Sequence, residues 1–133
     1  MLIINEPELA AAADEVIQKV WGSEFVISNN ERYCCKFLKI NPGFRSSIHM
    51  HRKKDETFIG VMGTAVLNVY SAEGQTISAV AIVPGVKHRI SPNTFHSFEA
   101  QTASWVMEIS TPHADKDVVR ISESRNMNEE ARR

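Results

Sequence analysis

Three histidines and one carboxylate carry the chemistry that this chain can offer. His49-Met50-His51 places two imidazoles two positions apart. On extended backbone such residues share a face, and a rise of about 3.3 Å per residue sets their Cβ atoms about 7 Å apart. That spacing lets two ring nitrogens converge on one ion at bond lengths of about 2.0–2.2 Å. Glu56 follows after Arg52-Lys53-Lys54-Asp55, far enough on to come from the next strand across a turn. A third imidazole, His96, closes the stretch Ser91-Pro92-Asn93-Thr94-Phe95-His96, and His88 in Pro84-Gly85-Val86-Lys87-His88 competes with it for that place. Two imidazoles turned into a protein interior without a partner would be costly, so the pattern reads as a metal site. Imidazole suits zinc, nickel and iron, and a carboxylate extends the choice to manganese. The cofactor expected is one divalent transition metal (Zn, Mn, Ni or Fe). Four protein ligands leave open positions on a five- or six-coordinate ion, which catalysis or ligand binding needs.

The elements that must position these groups are mostly strands. Turn signals recur about every ten residues after Trp21-Gly22. They bound predicted strands at 25–28, 32–40, 47–51, 57–62, 64–70, 76–83, 87–90, 94–99 and 103–110, with 57–62 and 64–70 joined as a hairpin through Gly63. Ahead of them, Pro7 to Val20 predicts one helix, with Pro7 in its first turn and Leu9, Ala12, Ala13, Val16, Ile17 and Val20 as an apolar stripe. The organisation predicted is a helical segment over 1–22, a barrel domain over 23–121 and a polar, frayed tail over 122–133. With 133 residues, 43% of them hydrophobic, one domain with a real core is expected. Fifteen Lys and Arg against sixteen Asp and Glu give a net charge of -1, so no nucleic-acid surface is advertised. No apolar run approaches the roughly 20 residues that cross a bilayer. The start Met1-Leu2-Ile3-Ile4-Asn5-Glu6 lacks a basic leader region, so a cytoplasmic location is expected. Cys34 and Cys35 are adjacent, face opposite ways on a strand and predict no disulfide between them.

The order Gly43, five residues, His49-x-His51, four residues, Glu56, six residues, Gly63 resembles the first motif of the cupin superfamily. The second motif is looser: Gly85 and His96 hold its positions, while Ser91 stands where proline is usual and Asn93 where glycine is usual. The resemblance runs from about Phe25 to Ser110. It implies an all-β jelly-roll barrel (a double-stranded β-helix) with a short N-terminal helix, and metal ligation by His49, His51, Glu56 and His96. It also implies pairing into a homodimer. Within that superfamily three stretches are similar to the phosphomannose-isomerase-type, sugar-handling branch: His49-Met50-His51-Arg52 with Gly63-Thr64-Ala65; Pro84 to Ile90; and Glu108 to His113 with the closing Asp117-Val118-Val119-Arg120. The chain departs from that branch in setting Glu56 further from His51 and in carrying no nucleotidyltransferase domain.

That resemblance implies a small carbohydrate substrate and aldose–ketose isomerisation, in which a metal polarises a carbonyl and a general base moves a proton between adjacent carbons. Glu108 and His88 are the candidate bases, and Lys53, Lys54, Arg89 and Arg120 the candidate cations for a phosphate or sugar hydroxyls. Two rival readings fit the same ligands: an iron-dependent dioxygenase, and a metal-dependent carbohydrate-binding module without turnover. The sequence ranks neither the bases nor the metals.

Overall fold

The computed structural model describes residues 3–130. Its frame is two antiparallel sheets closed over a shared core, the jelly roll that the sequence predicts. The helix is shorter than expected. α1 spans Glu6–Ala12, begins where Asn5 Oδ1 accepts the Glu8 N–H at 3.1 Å, and ends as Ala13 turns extended. The rest of the predicted helix is strand. β1 (Glu15–Lys19) pairs with β2 (Gly22–Asn29) as a hairpin. The stripe at Val16, Ile17 and Val20 fits a helical period, but β-branched side chains favour extended backbone once an antiparallel partner is present.

The first sheet continues through β3 (Cys34–Ile40). β4 (Phe44–Arg45) and β5 (Ile48–His51) then run in tandem in the second sheet. β6 (Glu56–Met62) returns to the first sheet and β7 (Ala65–Tyr70) crosses to the second, so the two do not form the predicted hairpin. Gly63, at φ 76°, makes a crossing between sheets instead. There a Cβ would collide with the Ala103 carbonyl oxygen, so the close approach needs glycine. β8 (Thr76–Ile82), β9 (Lys87–Ile90), β10 (Phe95–Ala100) and β11 (Ser104–Ser110) complete the barrel. Strand order is β1-β2-β3-β11-β6-β9 in the first sheet. In the second, β10 has β7 on one side, with β8 beyond it, and β5 and β4 on the other.

The region predicted as a frayed tail is part of the second sheet as far as it is described. β12 (Val118–Ser122) pairs with β5, and β13 (Arg125–Asn126) pairs with β4. α2 (Met127–Glu130) follows, with the Met127 N–H donating to the Gly43 carbonyl at 2.7 Å. Residues 131–133 of that prediction lie outside the described residues.

Alternation along each strand decides what faces inward. On β3 the inward set is Cys34, Lys36, Leu38 and Ile40, leaving Tyr33 exposed. Trp21, Leu38, Ile40, Leu67, Phe98 and Val106 belong to one buried cluster, in which Trp21 meets Phe98 edge-on at 4.7 Å. Both cysteines are free, Cys34 buried and Cys35 half-buried. No helix among the described residues is long and apolar enough to cross a membrane.

Candidate metal centre and its cavity

The jelly-roll register brings the four predicted ligands together. β5 and β10 are neighbours, and His49 stands directly across from His96. Their ring centroids are 4.6 Å apart, and His51 lies 5.2 Å from His49 on the same face of β5. Glu56 opens β6 in the opposite sheet and turns inward, fully buried. Its Oε2 lies 3.2 Å from His96 Nε2 and 3.7 Å from His51 Nε2. The β9–β10 turn holds Asn93 at φ 65°, the left-handed conformation that asparagine tolerates, and its N–H donates to the His51 carbonyl at 2.7 Å.

Outer contacts fix the orientation of two rings. His96 Nδ1 lies 2.8 Å from the Thr94 carbonyl, and His49 Nδ1 lies 3.0 Å from the Ser47 carbonyl. A carbonyl only accepts, so His96 Nδ1 carries the proton and its Nε2 presents a lone pair, while His49 Nδ1 also meets the Ser47 hydroxyl at 2.9 Å, a group that can donate or accept. His96 Nε2 and Glu56 Oε2 are both buried without a hydrogen-bond partner, as is His51 Nδ1. Lone pairs facing each other at 3.2 Å repel unless a cation lies between them. Two ligands at about 2.1 Å from one ion are separated by about 3.0–3.4 Å, which matches that distance. The chemistry of the donor set therefore fits a divalent metal, although among the described residues no group of three or more His, Cys, Asp or Glu side chains is placed so that it could hold a metal ion as it stands. Burial and the neighbouring imidazoles hold His49 well below the usual histidine range, and burial with Lys54 lowers His51 to about 3. Both are neutral at pH 7, the state in which imidazole binds a metal.

Beside the ligands the barrel opens into a cavity of about 750 Å³. A buried polar chain crosses its wall. Lys54 is 2% exposed, and its Nζ lies 2.7 Å from Glu108 Oε2, 3.6 Å from Glu56 Oε1 and 3.0 Å from His113 Nδ1. His113 Nε2 in turn faces Asp115 Oδ1 at 3.0 Å. Lys36, also buried, pairs with Glu24 at 3.1 Å. Burial opposes charge on both partners of the Lys54–Glu108 pair. Glu108 and Glu56 nevertheless hold Lys54 above the ordinary lysine range, and Lys54 and Lys36 hold the Glu108 carboxyl below its ordinary value.

Asp117 anchors the loop between His51 and Glu56. Its Oδ1 accepts the Lys53 N–H at 2.8 Å, its Oδ2 the Lys54 N–H at 2.9 Å, and its carbonyl the Arg52 N–H at 3.0 Å. The same Oδ2 lies 3.8 Å from His51 Nδ1.

The remaining predicted residues are placed as follows. Glu108, Lys54 and Arg120 line the cavity, with Arg120 on β12 directly across from His49. His88 stands on the edge strand β9 opposite Phe58 and does not line the cavity. Arg89 points away from it, held by the Asp55 carboxylate at 2.9 and 2.6 Å. Lys53 is exposed. Sequence reasoning gave no role to Lys36, Glu24 or Asp117. The available signal was Lys36, a cation on the core-facing parity of an otherwise apolar strand.

Known proteins agree with this architecture. The four predicted ligands and all of the described cavity lining except Ser124 fall within residues 6–123, which match the family model described as mannose-6-phosphate isomerase C-terminal. No functionally curated protein matches the chain. Among solved structures, the chain is similar to the capsular polysaccharide assembling protein CapF from Staphylococcus aureus, with a TM-score of 0.72 at 17% identity over 81% of this chain and 31% of that one. Oxalate decarboxylase from Bacillus subtilis gives 0.70 at 13% identity over 84% and 31%. KdgF from Halomonas sp. gives 0.64 at 17% identity over 77% of this chain and 91% of that one. The chain thus spans about a third of the first two proteins and most of the third, and identities this low establish the shared fold alone. From its matched family model and its jelly-roll relatives, the chain belongs to the mannose-6-phosphate isomerase C-terminal family of cupin-type domains.

Proposed function

We propose that this cupin domain holds one divalent metal at His49, His51, Glu56 and His96 and isomerises a small carbohydrate or sugar phosphate. The observation that carries the reading is the pair of buried, unpartnered acceptors, His96 Nε2 and Glu56 Oε2, facing each other beside a cavity of sugar size. When bound, the metal supplies Lewis acidity to a carbonyl or hydroxyl oxygen. The chain's own residues supply the rest. Glu108, kept ionised by Lys54, accepts a proton from the carbon next to the carbonyl and returns it to the adjacent carbon. Lys54 Nζ donates a hydrogen bond toward an oxygen that gains charge. Arg120, across from His49, steadies the far end of the ligand. Membership of the mannose-6-phosphate isomerase C-terminal family and similarity to CapF, a capsular polysaccharide assembling protein, support a carbohydrate ligand.

The test is elemental analysis of protein purified without chelator, followed by NMR of candidate sugars in D₂O. Near-stoichiometric zinc, manganese or nickel, with deuterium entering at the carbon next to the carbonyl, is the expected result. Absence of metal after reconstitution would remove the reading, and iron with oxygen uptake would replace it by the dioxygenase.

A further inference from the structure

The charges lining the cavity discriminate between the two ligand classes left open above. Among the described residues, six carboxylates line it: Glu15, Glu24, Glu56, Glu108, Asp115 and Glu123. Four cations face them: Lys19, Lys36, Lys54 and Arg120. The excess of two negative charges equals what one divalent ion neutralises.

Three of the four cations are also already engaged. Lys54 lies 2.7 Å from Glu108 and 3.6 Å from Glu56, and Glu24 sits between Lys36 at 3.1 Å and Lys19 at 3.8 Å. A phosphate entering the chamber would have to take an ammonium from the buried Glu108 and Glu56 or from the half-buried Glu24, and leave that carboxylate uncompensated. Arg120 alone among the described lining cations makes no ion pair. A phosphate dianion seated there would meet one unpaired guanidinium, because the two charges of a bound divalent ion are already balanced by the excess carboxylates. Phosphate sites are built the other way, from clustered unpaired cations or backbone N–H groups at a helix start. Of the described helices, α1 (seven residues) and α2 (four residues) supply no residue to the described cavity lining, and the 3-10 turn Asp115–Asp117 supplies Asp115, a carboxylate.

We infer that the cavity takes an uncharged polyhydroxy sugar and excludes the phosphate ester of the same sugar. Hydroxyl groups both donate and accept, so they can bridge Lys54 and Glu108, or Lys36 and Glu24, without displacing either partner. Trp21, Phe58 and Phe98 supply apolar wall against which the carbon faces of a sugar ring can lie. This inference rests on the carbohydrate reading of the site, and the experiment separates the two.

Full-length ¹⁵N-labelled protein, loaded with zinc, is titrated with D-mannose, mannose 6-phosphate and inorganic phosphate while cavity signals, including the Trp21 indole, are followed. The expected result is that mannose shifts them and binds at least about tenfold more tightly than its phosphate, while inorganic phosphate neither shifts them nor competes. Tighter binding of mannose 6-phosphate would overturn the inference and leave the carbohydrate reading standing. No shift with either sugar would overturn the carbohydrate reading, and this inference with it. A second variant works in the opposite direction. Glu24→Gln frees Lys36 and Lys19 from their shared carboxylate, so inorganic phosphate should then shift the signals around Lys36. If Glu24→Gln binds phosphate no better than wild type, charge pairing is not what excludes it, and the inference fails.

Discussion

The two halves of the barrel interior use the same strands for opposite purposes. Toward one end, inward positions are His96 on β10, Glu56 on β6, Lys36 on β3 and Glu108 on β11. Two residues further along the same strands they become Phe98, Phe58, Leu38 and Val106, all buried. A single pleated scaffold thus carries a charged chamber above an apolar plug, with Phe58 and Phe98 between them. The apolar half supplies folding energy through area removed from water. The charged half contributes to stability only while every member keeps its partner. Their responses to substitution should therefore differ in kind.

The largest effect is expected at Lys54. Lys54→Met leaves Glu108 and Glu56 buried without their ammonium and should cost about 4 kcal/mol in urea unfolding of the metal-free protein. Adding Glu108→Leu should recover more than half of that loss, because the double variant no longer buries Glu108 without a partner. A simple sum of the two single costs would refute the pairing. In the plug, Leu67→Ala should cost about 3 kcal/mol through the cavity it opens. It should leave metal content unchanged, and no second substitution should rescue it by charge.

Acid separates the halves more gently. His51 has its folded value lowered to about 3 against an ordinary 6.5, so it is neutral in the fold while the unfolded chain takes up a proton. Its stabilisation is complete above pH 6.5 and is lost as pH falls toward 3, at about 1.4 kcal/mol per pH unit. Glu108, also lowered on folding, adds to the loss below the ordinary glutamate range. Urea midpoints of metal-free protein that stay flat between pH 7 and 5 would contradict this. The smallest effect is expected at Arg89. Arg89→Ala removes an exposed ion pair away from the cavity, so melting temperature and sugar binding should both stay as in wild type.

The same contrast explains what could be read from the chain. The convergence of the candidate quartet was legible because His49, His51, Glu56 and His96 sit at fixed spacings that few other structural demands impose. The strand at 87–90 falls where predicted, and the other predicted strands overlap their observed counterparts with shifted ends, because turn residues punctuate them. The N-terminal hairpin was not legible. Val16, Ile17 and Val20 satisfy a helical period as well as a strand, and only pairing with β2 decides between them. Nor could the chain reveal that Gly63 crosses between sheets, since a tight turn looks alike whether its flanking strands pair or part. Lys36 was missed for a related reason. An isolated lysine in a strand reads as solvated until Glu24 and Glu108 are known to share its face.

The four candidate ligands stand on opposite walls: His49, His51 and His96 rise from one sheet, Glu56 from the other. An ion gripped by all of them would act as a rivet between sheets that otherwise meet through side-chain packing at this end. Its departure would then wait on the walls moving apart, so the lifetime of the bound ion would become a clock for how often the barrel breathes.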